Sequence, residues 1–246
     1  MRKMLCLAAL LVATLSSAQE AIEDELVKAA IQFLDIDEND LLRDKVAFDE
    51  YSSDRIIAVL PVISGRYEDC DYCYDIDNHT VIWNSQTKEF YTHYVKQNAW
   101  TSDALYLSSI EIDLSFQNIN NYKTAFGLTY NYGGSSRIDP YHAVYLNLYY
   151  VENKKIVEIL NSFKIEESHG HTDGSCENVS FEKSKIIFFT QLHTGNRFKP
   201  ISLNSITTNY RYDENCDKEI IDRTSSFSEF LTYSEADKKY IVVKEQ

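Results

Sequence analysis

The residue order predicts a mainly β protein: an antiparallel meander forming a sandwich or a propeller-like stack of sheets, with one N-terminal helix. Three observations predict it. Short runs rich in Ile, Val, Tyr, Phe and Thr recur from Arg55 to Val243. Turn residues separate neighbouring runs by hairpin distances, which suits antiparallel pairing. Helical spacing of apolar residues is confined to a stretch before the first of these runs.

The chain opens with the pattern of a secretory signal over residues 1–18. Arg2 and Lys3 are basic, Leu5 to Leu15 is apolar, and Ser16-Ser17-Ala18 is a small-residue cleavage site before Gln19. The apolar run is shorter than the roughly 20 residues that cross a bilayer, so no membrane span is expected after cleavage. An exported protein, periplasmic or secreted, is the expectation. Cys6 lies inside the apolar run and not at the cleavage point, which argues against lipid attachment. Residues 19–54 read as an N-terminal helix and an acidic linker, and 55–246 as a single β-rich domain.

In the helix, residues 20–34, Ile22, Leu26, Ala29, Ala30, Phe33 and Leu34 share one face. Glu20, Glu23, Asp24 and Glu25 crowd the first turn, where the helix dipole favours negative charge. Asp35, Asp37 and Asn39 imitate the start of an EF-hand loop. Position 6 is Asp40 where glycine is needed, and position 12 is Val46 where glutamate is needed, so a linker is expected.

Ile56 to Ile63 then reads as a buried strand. Thr80–Trp83 and Glu89–Val95 form a hairpin pattern. A central block holds the alternating run Ile110 to Phe116, the strand Ala125–Tyr130, and the strands Val144–Tyr150 and Ile156–Ile165, joined at Glu152-Asn153-Lys154. The loop Asn131 to Pro140 contains Gly133-Gly134. Lys185–Thr190, Ile201–Tyr212 and a closing hairpin of Phe227–Tyr233 with Tyr240–Val243 complete the meander.

Composition narrows the function. The net charge of −14 becomes −16 once Arg2 and Lys3 leave with the signal. Such acidity repels phosphate backbones, and no basic patch offsets it, so nucleic-acid binding is not expected. Four cysteines remain in the exported chain: Cys70, Cys73, Cys176 and Cys216. They suggest two disulfides among three connectivities, and Cys70–Cys73 with Cys176–Cys216 is favoured because the later pair sits in two consecutive loops. Aspartates around the C-x-x-C raise the thiol pKa, which suits a structural bridge better than a redox pair. The sequons at Asn78 and Asn178 are expected to stay unused, because the short signal looks bacterial.

Chemistry-bearing motifs are sparse. There is no G-x-S-x-G, no P-loop and no dinucleotide glycine loop, so no cofactor is expected. The best metal candidate is His169 and His171 with Asp173, since histidines two apart can point to one side of an extended segment; the distant His193 could join them. The best binding candidate is a strand face carrying Tyr145, Asn147 and Tyr149 beside Tyr132, Arg137 and Asp139. Strand side chains alternate, so the three share a face if Leu146 and Leu148 turn to the core. The competing reading of that row is a second covered face of a sandwich.

Trp100-Thr101-Ser102-Asp103-Ala104-Leu105-Tyr106, Ala125-Phe126-Gly127 and Gly134-Ser135-Ser136-Arg137 together resemble a family of exported bacterial proteins of unknown function, over about residues 55 to 180. That resemblance implies no catalytic residues. The expected function is a non-catalytic exported β-domain binding a protein or glycan at the cell envelope. The alternative is an envelope hydrolase or metal-dependent enzyme built on the His169, His171 and Asp173 loop.

Overall fold

The computed structural model describes residues 21–244 apart from 71, 121–124, 173–178, 191–197 and 214–216. Its strands are β1 (Ala47–Ser52), β2 (Arg55–Arg66), β3 (Tyr74–Asn84), β4 (Glu89–Ser102), β5 (Leu105–Asp113) and β6 (Ala125–Gly134). They continue with β7 (Tyr141–Glu152), β8 (Lys155–Thr172), β9 (Val179–Thr190), β10 (Ile201–Tyr212), β11 (Glu219–Ser234) and β12 (Lys239–Lys244). Strands β1–β4 form one antiparallel sheet and β5–β12 another, each in chain order. The expected meander is present. Its sheets stack as a sandwich, with neither propeller blades nor a closed barrel.

Helix α1 (residues 21–34) lies on the outer face of the four-stranded sheet. Leu26, Val27 and Ala30 are buried there with Ala58, Leu60, Val81 and Trp83. Phe33 stays exposed at the helix end, yet its ring stacks on Phe90 with centroids 4.5 Å apart. Asp35, at φ 54°, turns the chain out of the helix. The acids beyond it have structural work: Asp37 accepts from the Asn39 amide at 2.9 Å, while Glu38 and Asp40 pair with Arg43 and Arg66. β1 falls inside the segment expected as linker, and its ladder to β2 pairs Ala47 with Val59.

The inner face of the four-stranded sheet meets the first strands of the larger sheet. Ile57, Val59, Ile76, Ile82 and Trp100 pack there with Leu107, Ile110, Phe126, Leu128 and Tyr149. β2 is therefore covered on both faces, Ile57 and Val59 inward and Ala58 and Leu60 towards α1. That is why Ile56 to Ile63 is a continuous apolar run and not an alternating one.

The opposite face of the larger sheet has its own core. Phe116, Ile119, Leu146, Leu148 and Ile159 pack against Phe198, Ile201, Leu203, Leu231 and Tyr240, so β10–β12 fold back over β7 and β8. The alternation expected through Phe116 ends early. β5 stops at Asp113, whose carboxylate accepts from the Ser115 amide at 2.8 Å and caps a 3₁₀ helix, Leu114–Asn118, that carries Phe116 into this second core.

Three boundaries position the site. β6 runs on through Gly134, so the connection to β7 shrinks to 135–140. The Asn153-Lys154 turn, with φ of 50° and 58°, makes the two-residue hairpin that joins β7 to β8. β8 continues well past Ile165 and holds His169 and His171 in a paired strand. Asn78 is wholly buried in β3, so its sequon faces no solvent. Among the described residues no helix is long and apolar enough to cross a membrane.

Candidate functional site

The tyrosine row lies on one face, as alternation requires, but that face is turned to the four-stranded sheet. Asn147 is 2% exposed and Tyr149 1% exposed. Tyr149 stacks on Phe126 at 5.3 Å and meets Tyr94 edge-on at 5.5 Å. Asn147 donates to the Tyr149 hydroxyl at 3.1 Å and accepts from the Ser162 amide, and Tyr130 donates to Ser162 Oγ at 2.9 Å. Burial pushes the Tyr149 hydroxyl well above its ordinary pKa and raises Tyr94 to about 12, in a setting where a charged phenolate is poorly solvated. Expected as an exposed platform, the Asn147 and Tyr149 end is the polar seam of the core between the sheets.

Tyr132 and Tyr145 are half-buried at the upper edge of this seam, their rings edge-to-face at 6.0 Å. The Thr101 amide donates to the Tyr132 hydroxyl at 3.3 Å, and burial raises that hydroxyl to about 12. Arg137 and Asp139 are exposed on the loop before β7. Tyr132, Tyr145, Arg137 and Asp139 thus stay at one end of the sandwich, while Asn147 and Tyr149 leave the surface.

The histidines behave differently from a loop-borne pair. His169 sits opposite Tyr141 and Glu182 in the ladder, and both His169 and His171 are exposed. His171 Nδ1 lies 2.7 Å from Asp139 Oδ1, joining the expected metal and binding candidates in one contact. Asp173, His193, Cys176 and Cys216 lie outside the described residues. Among the described residues no three His, Cys, Asp or Glu side chains converge as a metal site would need.

A cleft of about 450 Å³ opens at this same end of the fold. Three chain segments make it: the turn between β2 and β3, the turn between β4 and β5, and the start of the β6–β7 connection. Its lining includes Tyr72, Tyr74, Asp103, Tyr106 and Ser135, together with the Cys70–Cys73 bridge. Tyr72 is 73% exposed and Tyr106 46%. The bridge closes a turn in which the Tyr67 amide donates to the Cys73 carbonyl at 3.1 Å. Tyr67 donates its hydroxyl to Asp75 at 3.2 Å, and that carboxylate, with Asp103 further off, raises the Tyr67 pKa.

Tyr106 is placed by a glycine. It sits opposite Gly133 in the β5–β6 ladder, and its ring covers that position so closely that a Cβ there would fall 2.8 Å from the ring. A strand glycine beneath a cross-strand aromatic ring fixes the ring against the sheet. Asp103 is fixed as well, because its Oδ1 accepts from the Leu105 amide at 2.9 Å across the β4–β5 turn.

Sequence reasoning passed over Tyr67, Tyr72 and Tyr106. Each stands beside a turn between two strands, and side chains there gather at one end of a meander. That adjacency was the signal available. Compared with known protein families, curated proteins and solved structures, the chain matches none.

Proposed function

We propose that this chain is an exported, non-catalytic β-domain, periplasmic or secreted, that binds a protein or glycan partner at the cell envelope through the tyrosine cleft. The observation that carries the reading is the meeting of exposed Tyr72 and Tyr106 in one cleft whose walls are held in place. Tyrosine offers a large, stiff apolar face with a polar tip, and recognition surfaces are enriched in it. The Cys70–Cys73 bridge and the Gly133 position restrain the turn and the ring before any partner arrives, which lowers the ordering cost of binding. Export is supported by the basic, apolar and small-residue order of residues 1–18 and by the disulfide.

The test uses the mature chain, starting at Gln19, and the isolated envelope fraction of the source cell. Retention should survive in the wild type and fall at least about tenfold in Tyr72→Ala/Tyr106→Ala. Treating the fraction with protease or with periodate tells a protein partner from a glycan. Equal retention of wild type and double variant, or none of either, would remove the reading.

A further inference from the structure

We infer that the cleft takes an organic cation, the guanidinium or ammonium group of an arginine or lysine in a basic segment of a protein partner. This rests on the binding role just proposed and names its ligand. Among the described residues, the lining supplies three tyrosines, Tyr72, Tyr74 and Tyr106, and one carboxylate, Asp103, with no Lys, Arg or His. Tyrosine faces attract cations through the ring quadrupole, and the attraction grows as water is excluded. A carboxylate at the same place supplies the opposite charge. Asp103 keeps that carboxylate at the cleft because one of its oxygens is bonded within its own turn.

The surroundings add to the field. Asp75 stands next to the lining residue Tyr74 and accepts from Thr101 Oγ1 at 2.8 Å and from Tyr67. Arg66, at the end of β2, is held by Asp40 at 2.9 Å. Arg137 is exposed two residues beyond Ser135 in the chain and is not in the lining. The chain as a whole carries −14, which steers basic partners towards it.

The experiment is calorimetric titration of the mature chain with a capped tetra-arginine peptide, a capped tetra-glutamine peptide and chitotetraose. The arginine peptide should bind, weaken steadily with added sodium chloride, and bind about tenfold more weakly to Asp103→Asn. Asparagine can still accept from the Leu105 amide, so the turn survives that change. Arg137→Glu, an exposed substitution, should tighten the arginine peptide several-fold. Binding of the glutamine peptide as strong as the arginine peptide would overturn the inference, as would indifference to both charge variants. Chitotetraose binding that is lost in Tyr106→Ala but insensitive to salt and Asp103→Asn would overturn the cation while leaving the binding role intact. If neither the arginine peptide nor chitotetraose binds, the inference fails, and the envelope-retention experiment decides the binding role separately.

Discussion

Lys96 Nζ lies 2.7 Å from Glu158 and 2.6 Å from Asn161 Oδ1, so a lysine of β4 is tied to two residues of β8. The contact joins the two sheets across 62 residues of chain, at the edge of the tyrosine seam, and both charged groups are mostly covered. Removing one partner leaves the other charge covered and unpaired. Lys96→Ala should therefore cost about 2–3 kcal/mol in chemical denaturation. Lys96→Ala/Glu158→Gln should recover part of that loss, which a double-mutant cycle measures. Simple additivity would mean that the pair contributes nothing.

Two glycines should respond differently to a methyl group. At Gly170 a Cβ would collide with the Phe181 ring and lie 2.7 Å from the Ser180 carbonyl, and backbone cannot easily retreat. Gly170→Ala should lower stability by about 1–3 kcal/mol. At Gly133 the obstacle is the far end of the Tyr106 ring. Gly133→Ala should cost under about 1 kcal/mol yet change binding at the cleft, since the ring must swing away. Thermal melts of the two variants check the contrast.

Alkaline pH should expose the buried tyrosines. Burial raises Tyr94 and Tyr132 to about 12 from an ordinary 10.0, and raises Tyr130 and Tyr149 as well. Folded values above unfolded ones give stability that is complete below pH 10 and lost as pH climbs through the folded values. The melting temperature should fall above pH 10, and part of the tyrosinate absorbance should appear together with loss of near-ultraviolet dichroism. Full ionisation of every tyrosine with the dichroism intact would contradict this.

The helix should be an integral layer. Leu26 is fully buried between α1 and the outer face of the four-stranded sheet, beside Leu60 and Trp83. Leu26→Ala should cost about 3 kcal/mol and unfold helix and sheet in one transition. A separate, earlier loss of helix at unchanged sheet stability would show that α1 is merely attached.

Strands were legible because their evidence is local. The Asn153-Lys154 turn, the two-sided apolar run of β2 and the stripe of α1 are each written within a few neighbouring residues. Ends were less so: Asp113 stopped β5 by capping, and β8 ran past Ile165 because β7 and β9 extend its pairing beside His169 and His171. β1 went unread because its pattern is weak and its strand depends on the edge β2 offers.

By itself, the sequence determined the order of strands, the helix and its apolar face, and the fact that Tyr145, Asn147 and Tyr149 share a side of β7. Only the tertiary structure decided which side of that strand another sheet covers. Alternation defines two faces but carries no label for the one that will meet a partner sheet, because that contact is made by residues far along the chain. The same holds for the cleft. Tyr72, the pair Asp103 and Tyr106, and Ser135 come from three separate turns, and they meet because an up-and-down meander returns every second turn to the same end of the sandwich.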